Sequence, residues 1–170
     1  KKYVAIILYL ISGFVFLTLI PVYKGNFTPE IIGGVFFLIW FNDSFAYLVG
    51  KNFGKRKLLE RISPKKTIEG FIGGLAGAIL ASFLIFKCLE VYNPELTIQF
   101  NLIVWIIMAV IASVFGTIGD LIQSKFKRQA GVKDSGILMP GHGGLYDRLD
   151  SIIFASPFIY AFLQIVYYVS

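Results

Sequence analysis

The chain has 170 residues, of which 56% are hydrophobic and 16% aromatic, with a mean hydropathy of +0.74. A surface facing water does not tolerate that composition, so a soluble globular domain is excluded and an integral membrane protein is expected. The formal net charge of +6 falls in loops beside apolar stretches, where anionic headgroups and phosphate substrates are nearer partners than nucleic acid, which is discounted.

Crossing the hydrocarbon layer takes about 20 helical residues. Five stretches meet that length within boundary error: 3–22, 31–50, 71–87, 102–122 and 151–169. They predict an all-α, polytopic membrane helix bundle forming a single transmembrane domain over 1–170. Lys1 and Lys2 ahead of the first stretch imitate a signal peptide, but no small-residue cleavage site follows, so it reads as a span. Asn42 and Asp43 interrupt the second stretch. An unpaired aspartate there would be expensive, so Asp43 is expected to face the bundle interior, as a carboxylate of a functional site or as a structural hydrogen-bonding partner.

The loop from 51 to 69 is basic, and of the 16 Lys and Arg all but Lys24 and Lys87 fall on one side of the five-span topology. The excess of positive charge puts that side, with the N-terminus, in the cytoplasm. Lys55 to Lys57 read as headgroup anchors. Ser63, Lys65, Lys66 and Thr67 combine cations and hydroxyls just before a helix, a composition suited to phosphate, with simple capping by Ser63 and Thr67 as the alternative. The third stretch opens with Gly70, Gly73, Gly74 and Gly77, a spacing that lets helices approach closely within the chain; it also makes a homodimer plausible. Cys88 is a single cysteine, which excludes an intrachain disulfide.

Asp120, Ser124, Lys127 and Arg128 follow at i, i+4, i+7 and i+8, on one face of the fourth span as it leaves the membrane. Asp147 and Asp150 stand three apart at the entrance to the fifth span, with Arg148 between them. Two carboxylate-bearing helix ends suit a divalent cation better than a salt-bridge network alone, and magnesium, which takes one or two carboxylates and leaves room for phosphates, is the natural choice. The residues leave open which of these carboxylates would hold the ion and whether a second cation joins. Between these helices, Pro140-Gly141-His142-Gly143-Gly144 must form an open turn that permits close ligand approach, with His142 as proton carrier, phosphate donor or structural hydrogen bonder. No GxSxG, Walker A or HExxH pattern occurs.

Ser124-x-x-Lys127-Arg128, Lys133-Asp134-Ser135-Gly136, Pro140-Gly141-His142-Gly143-Gly144 and Asp147-Arg148-x-Asp150 together resemble the signature of the phosphatidate cytidylyltransferase (CDP-diacylglycerol synthase) family. The resemblance extends upstream through Asn42-Asp43-Ser44-Phe45-Ala46-Tyr47, Gly54-Lys55 and Ser63-Pro64-Lys65-Lys66-Thr67-x-Glu69-Gly70. It implies transfer of the cytidylyl group from CTP to phosphatidic acid with magnesium, on the cytoplasmic face of a bacterial inner membrane or its eukaryotic counterpart. Asp120 and Asp147 match the family's metal-binding aspartates, and Ser124, Lys127, Arg128, Lys133 and Arg148 its phosphate-facing positions. Asp43, Ser63, Lys65, Lys66, Thr67, Asp134, His142, Gly143, Gly144 and Asp150 complete the candidate substrate-binding set. Family members usually carry further spans ahead of the matched region, so the chain reads as the C-terminal catalytic part or a short relative. Competing readings are cytidylyl or phosphoryl transfer to an ether-lipid phosphate or a polyprenol, and a non-enzymatic carrier or scaffold.

Overall fold

The computed structural model describes residues 2–23, 25–132 and 146–169, with the backbone alone at 2–6, 8, 23, 146–148 and 169. Helix α1 (Lys2–Leu19) leads through a short hairpin, β1 (Val22–Tyr23) and β2 (Asn26–Phe27), into α2 (Pro29–Phe53). A second hairpin, β3 (Lys57–Leu59) and β4 (Ser63–Thr67), precedes α3 (Ile68–Tyr92), the short α4 (Pro94–Gln99), α5 (Leu102–Gln129) and α6 (Tyr146–Val169). Among the described residues, four helices are long and apolar enough to cross a membrane: α2, α3, α5 and the stretch Leu149–Tyr168 of α6. They coincide with four of the five expected spans. Helix α1 contributes a further apolar stretch, Tyr9–Leu19, among the described residues.

The all-α expectation needs correcting, because both hairpins are antiparallel two-stranded ribbons. In the second, Lys57 pairs with Thr67 and Leu59 with Ser63 around an irregular register. No apolar alternation marks these strands. They are held from outside: the Glu69 carboxylate accepts the backbone N–H of Lys55 (3.0 Å) and of Arg56 (3.1 Å), and Ile68 N–H donates to Arg56 O at 2.9 Å. A two-stranded ribbon is marginal alone, so anchoring to the first turn of α3 is what sustains it.

Helices run past the apolar stretches for local reasons. Thr67 caps α3, its hydroxyl accepting Gly70 N–H at 3.1 Å, and α3 continues to Tyr92 through the exposed Lys87–Glu90 pair at 2.6 Å. Asn93 then ends α3 and caps α4. At 28 residues α5 is the longest helix. Its length of roughly 42 Å exceeds the ~30 Å hydrocarbon layer, and its last two turns, bearing Ser124, Lys127 and Arg128, are its polar end. It stops at Gly131, whose φ of +71° admits the two closing bonds Gly131 N–H to Arg128 O (3.2 Å) and Val132 N–H to Lys127 O (3.0 Å).

Packing runs α1 on α6, α6 on α5, α5 on α3 and α3 on α2. The core between them includes Val35, Leu38, Ala78, Ala81, Trp105 and Met108, all fully buried. The glycines of α3 are spent on α2: a Cβ at Gly73 would lie 2.5 Å from Val49 Cβ, and one at Gly77 2.5 Å from Phe45 Cγ. That face is thus consumed within the chain and lends no support to a homodimer. Pro157 inside α6 has no N–H for Ile153 O; the neighbouring Ser156 hydroxyl has Ile152 O as its shortest acceptor at 2.7 Å, with Ile153 O and Gly13 O of α1 each 3.1 Å away.

Candidate active site

At one end of the bundle the C-terminal half of α2, the second hairpin, the N-termini of α3 and α6 and the C-terminal part of α5 surround a cleft of about 720 Å³. Its wall carries three carboxylates, Asp43, Asp120 and Asp150, and five lysines, Lys51, Lys57, Lys65, Lys66 and Lys127. Ionisable groups of both signs thus gather at a helix-end boundary, where such groups can pair or meet water.

Asp120 sits where α5 leaves the apolar layer. Its Oδ1 accepts the hydroxyl of Ser124 one turn on, at 3.3 Å, and its Oδ2 is ion-paired with Lys66 of β4. The i, i+4 relation read from the spacing therefore exists as a contact. Lys127 continues the stripe into the cleft, whereas Arg128 is exposed and does not line it, because one further residue of helix carries it round to solvent. Asp43 accepts Asn42 Nδ2 at 3.2 Å, and Asn42 Oδ1 accepts the Ser113 hydroxyl at 2.7 Å. Asp43 thus lines the cleft and has a structural hydrogen-bonding partner in Asn42. Asp150, only 6% exposed, also faces the cleft and accepts Ser151 N–H at 2.7 Å.

The hairpin separates its candidates. Lys65 and Lys66 line the cleft, Thr67 is buried as the cap of α3 while touching the cleft wall, and Ser63 is a strand residue paired with Leu59 outside the wall. Lys57, assigned from sequence to headgroup anchoring, instead lines the cleft, because the antiparallel pairing sets it opposite Thr67. Asp147 and Arg148 stand in the first turn of α6, but their side chains lie outside the described residues, as do Lys133, Asp134, His142, Gly143 and Gly144 entirely.

Thr117 and Ser113 escaped the sequence reading. With Asp120, Ser124 and Lys127 they form one polar stripe on α5 with alternating steps of four and three, and Thr117 lines the cleft. Extending the helical spacing two turns toward the membrane interior would have found them. The bond that Asn42 accepts from Ser113 joins α2 and α5 at the cleft.

The donor set suits a hard divalent cation. Asp120 presents a carboxylate oxygen to the cleft, with Ser124 beside it, and a cationic group already rests on that oxygen in the form of the Lys66 ammonium. Among the described residues no three metal-ligating side chains cluster together. Magnesium does not require three, since one or two carboxylates completed by water and phosphate oxygens suffice.

Comparison with known proteins gives the chain a family. Phosphatidate cytidylyltransferases are 47% identical over 126 residues in Staphylococcus aureus (strain COL), 44% over 126 in Staphylococcus haemolyticus and 46% over 128 in Bacillus subtilis (strain 168). The match covers 73 to 75% of this chain and 45% of each relative, so the chain spans under half of their length. The cytidylyltransferase family matches residues 1–166, nearly the whole chain. On both the family match and these identities, the chain belongs to the cytidylyltransferase family.

Proposed function

We propose that this chain forms the catalytic domain for transfer of a cytidylyl group from CTP to phosphatidic acid, giving CDP-diacylglycerol and pyrophosphate. The observation that carries the reading is the cleft at one end of an apolar helix bundle, where Asp120 meets Asp43, Asp150 and five lysines. Relatives sharing 42 to 47% of the aligned residues are named for this activity. The five-span topology, with α1 as the first crossing, and the cytoplasmic placement of the cleft in a bacterial plasma membrane belong to the same proposal. They rest on the distribution of Lys and Arg.

A phosphate oxygen of phosphatidate attacks the α-phosphorus of CTP. A new P–O bond forms as the bond from the α-phosphorus to the α,β-bridging oxygen breaks, and pyrophosphate leaves with that electron pair. The nucleophile is already an anion, so no protein nucleophile is needed, and the chain's work is positioning and charge neutralisation. Lys65, Lys66, Lys57 and Lys127 reduce the repulsion between two polyanions, and Lys51 stands at the same wall. Its ammonium lies 5.8 Å from the ring centre of Tyr47, itself on the wall and largely exposed, an aromatic and cationic pair of the kind that anchors at the headgroup level. Asp120 and Asp147 would hold magnesium, with room for a second cation, and the ion would supply charge neutralisation at the triphosphate.

The test is CTP-dependent formation of CDP-diacylglycerol from phosphatidate by the purified protein in detergent or nanodiscs. Asp120→Asn should lower turnover by about 10²-fold or more while the helical content and melting temperature stay at the parent's values. Near-parent turnover in that variant would remove Asp120 from the mechanism.

A further inference from the structure

Lys66 and Asp120 form an ion pair inside the cleft that ties β4 to α5. The pair is partly exposed, so its Coulomb energy is screened and exchange of either partner is inexpensive. Asp120 Oδ1 accepts the Ser124 hydroxyl and Lys66 holds Oδ2, so a cation that takes Oδ2 from the cleft meets the Lys66 ammonium there. Strand β4, which carries Lys66, is held on either side by the Ser63 and Thr67 pairings and by the Glu69 clasp on Lys55 and Arg56, whereas the Lys66 ammonium is carried on a flexible four-carbon stem. The side chain can therefore change partner without movement of the hairpin.

We infer that Lys66 is an exchangeable counter-ion: it occupies Asp120 Oδ2 until a divalent cation takes that oxygen, and the freed ammonium then pairs with a phosphate oxygen of the nucleotide in the same cleft. This deepens the proposed function and rests on it for the identity of the anion. An ammonium and a divalent cation on one carboxylate oxygen repel, so the two are competitors for Oδ2. Their exchange leaves no charge unpaired, because Asp120 trades one cation for another while Lys66 trades a carboxylate for a phosphate. An unpaired lysine or aspartate in a partly desolvated cleft is the costly alternative. Lysine fits this role better than arginine, since a compact point charge re-pairs in many geometries and a planar fork favours one bidentate partner.

The decisive measurement is Mn²⁺ binding, followed by electron paramagnetic resonance, to purified protein stripped with EDTA and free of nucleotide. Lys66→Gln should bind Mn²⁺ about threefold or more tighter than the parent, with Lys66→Arg no tighter than the parent. In equilibrium dialysis with magnesium present, Lys66→Gln should bind CTP about threefold to tenfold more weakly. The two affinities thus move in opposite directions, which a merely structural salt bridge would not produce. Unchanged or weaker Mn²⁺ binding in Lys66→Gln, or no binding by any variant, overturns the competition; unchanged CTP affinity overturns the transfer to phosphate. Neither readout needs turnover, so a protein that makes no CDP-diacylglycerol sinks the functional proposal separately from this one.

Discussion

Gly119 faces α6 at the level of the cleft, one residue before Asp120. A Cβ built there would lie 2.5 Å from Phe154 Cβ and 2.9 Å from Asp150 O. Ordinary contact between carbon atoms needs about 3.5–4.0 Å, so Gly119→Ala must move α6 from α5 by roughly 1 Å. Overpacking of this kind typically costs about 1–3 kcal/mol of stability. The displacement falls between Asp120 and Asp150, two carboxylates of one cleft, and a misplacement of about 1 Å costs on the order of 10²-fold in rate. Gly116 provides an internal control: it lies one turn earlier on α5, and its Cβ would meet Ser151 Cβ at 3.5 Å, an ordinary contact. Thermal unfolding in detergent and CDP-diacylglycerol formation should therefore show Gly119→Ala destabilised and nearly inactive, with Gly116→Ala close to the parent in both. Equal behaviour of the two variants would refute the assignment of the α5–α6 seam as the element that sets the site.

Two further outcomes are expected. Ser113→Ala removes the buried hydroxyl that donates to Asn42 Oδ1 and should cost about 1–3 kcal/mol, measured by thermal or denaturant unfolding, with a smaller loss of turnover through Asp43. Lys57→Gln should raise the KM for CTP several-fold at nearly constant kcat, while Lys55→Gln, whose residue engages Glu69 through the backbone, should leave both unchanged; steady-state kinetics with varied CTP would separate them.

Hydropathy and spacing are local properties, and they were sufficient for α2, α3, α5 and α6 and for the face shared by Asp120, Ser124 and Lys127. Lipid demands helices that satisfy their own backbone, so a long apolar run leaves one choice. Helix ends were less legible because capping by Thr67 and Asn93 and the glycine stop at Gly131 extend helices into polar sequence. The β3–β4 hairpin was hidden for a different reason. It has no hydrophobic face of its own and exists through Glu69, a residue of the next helix.

Which groups meet was decided only by tertiary packing. The glycines of α3 announce a close approach without naming the partner, and α2 proves to be that partner because Val49 and Phe45 fill the space a Cβ would take. Lys57 and Lys55 are indistinguishable by composition, yet strand pairing turns one into the cleft. The Lys66–Asp120 and Ser113–Asn42 contacts join residues far apart in the chain, where no periodicity operates. Sequence determined that carboxylates and lysines would stand at helix ends beside apolar runs; the fold assigned each charge its neighbour, since ion pairing depends on distance in space and not on distance along the chain.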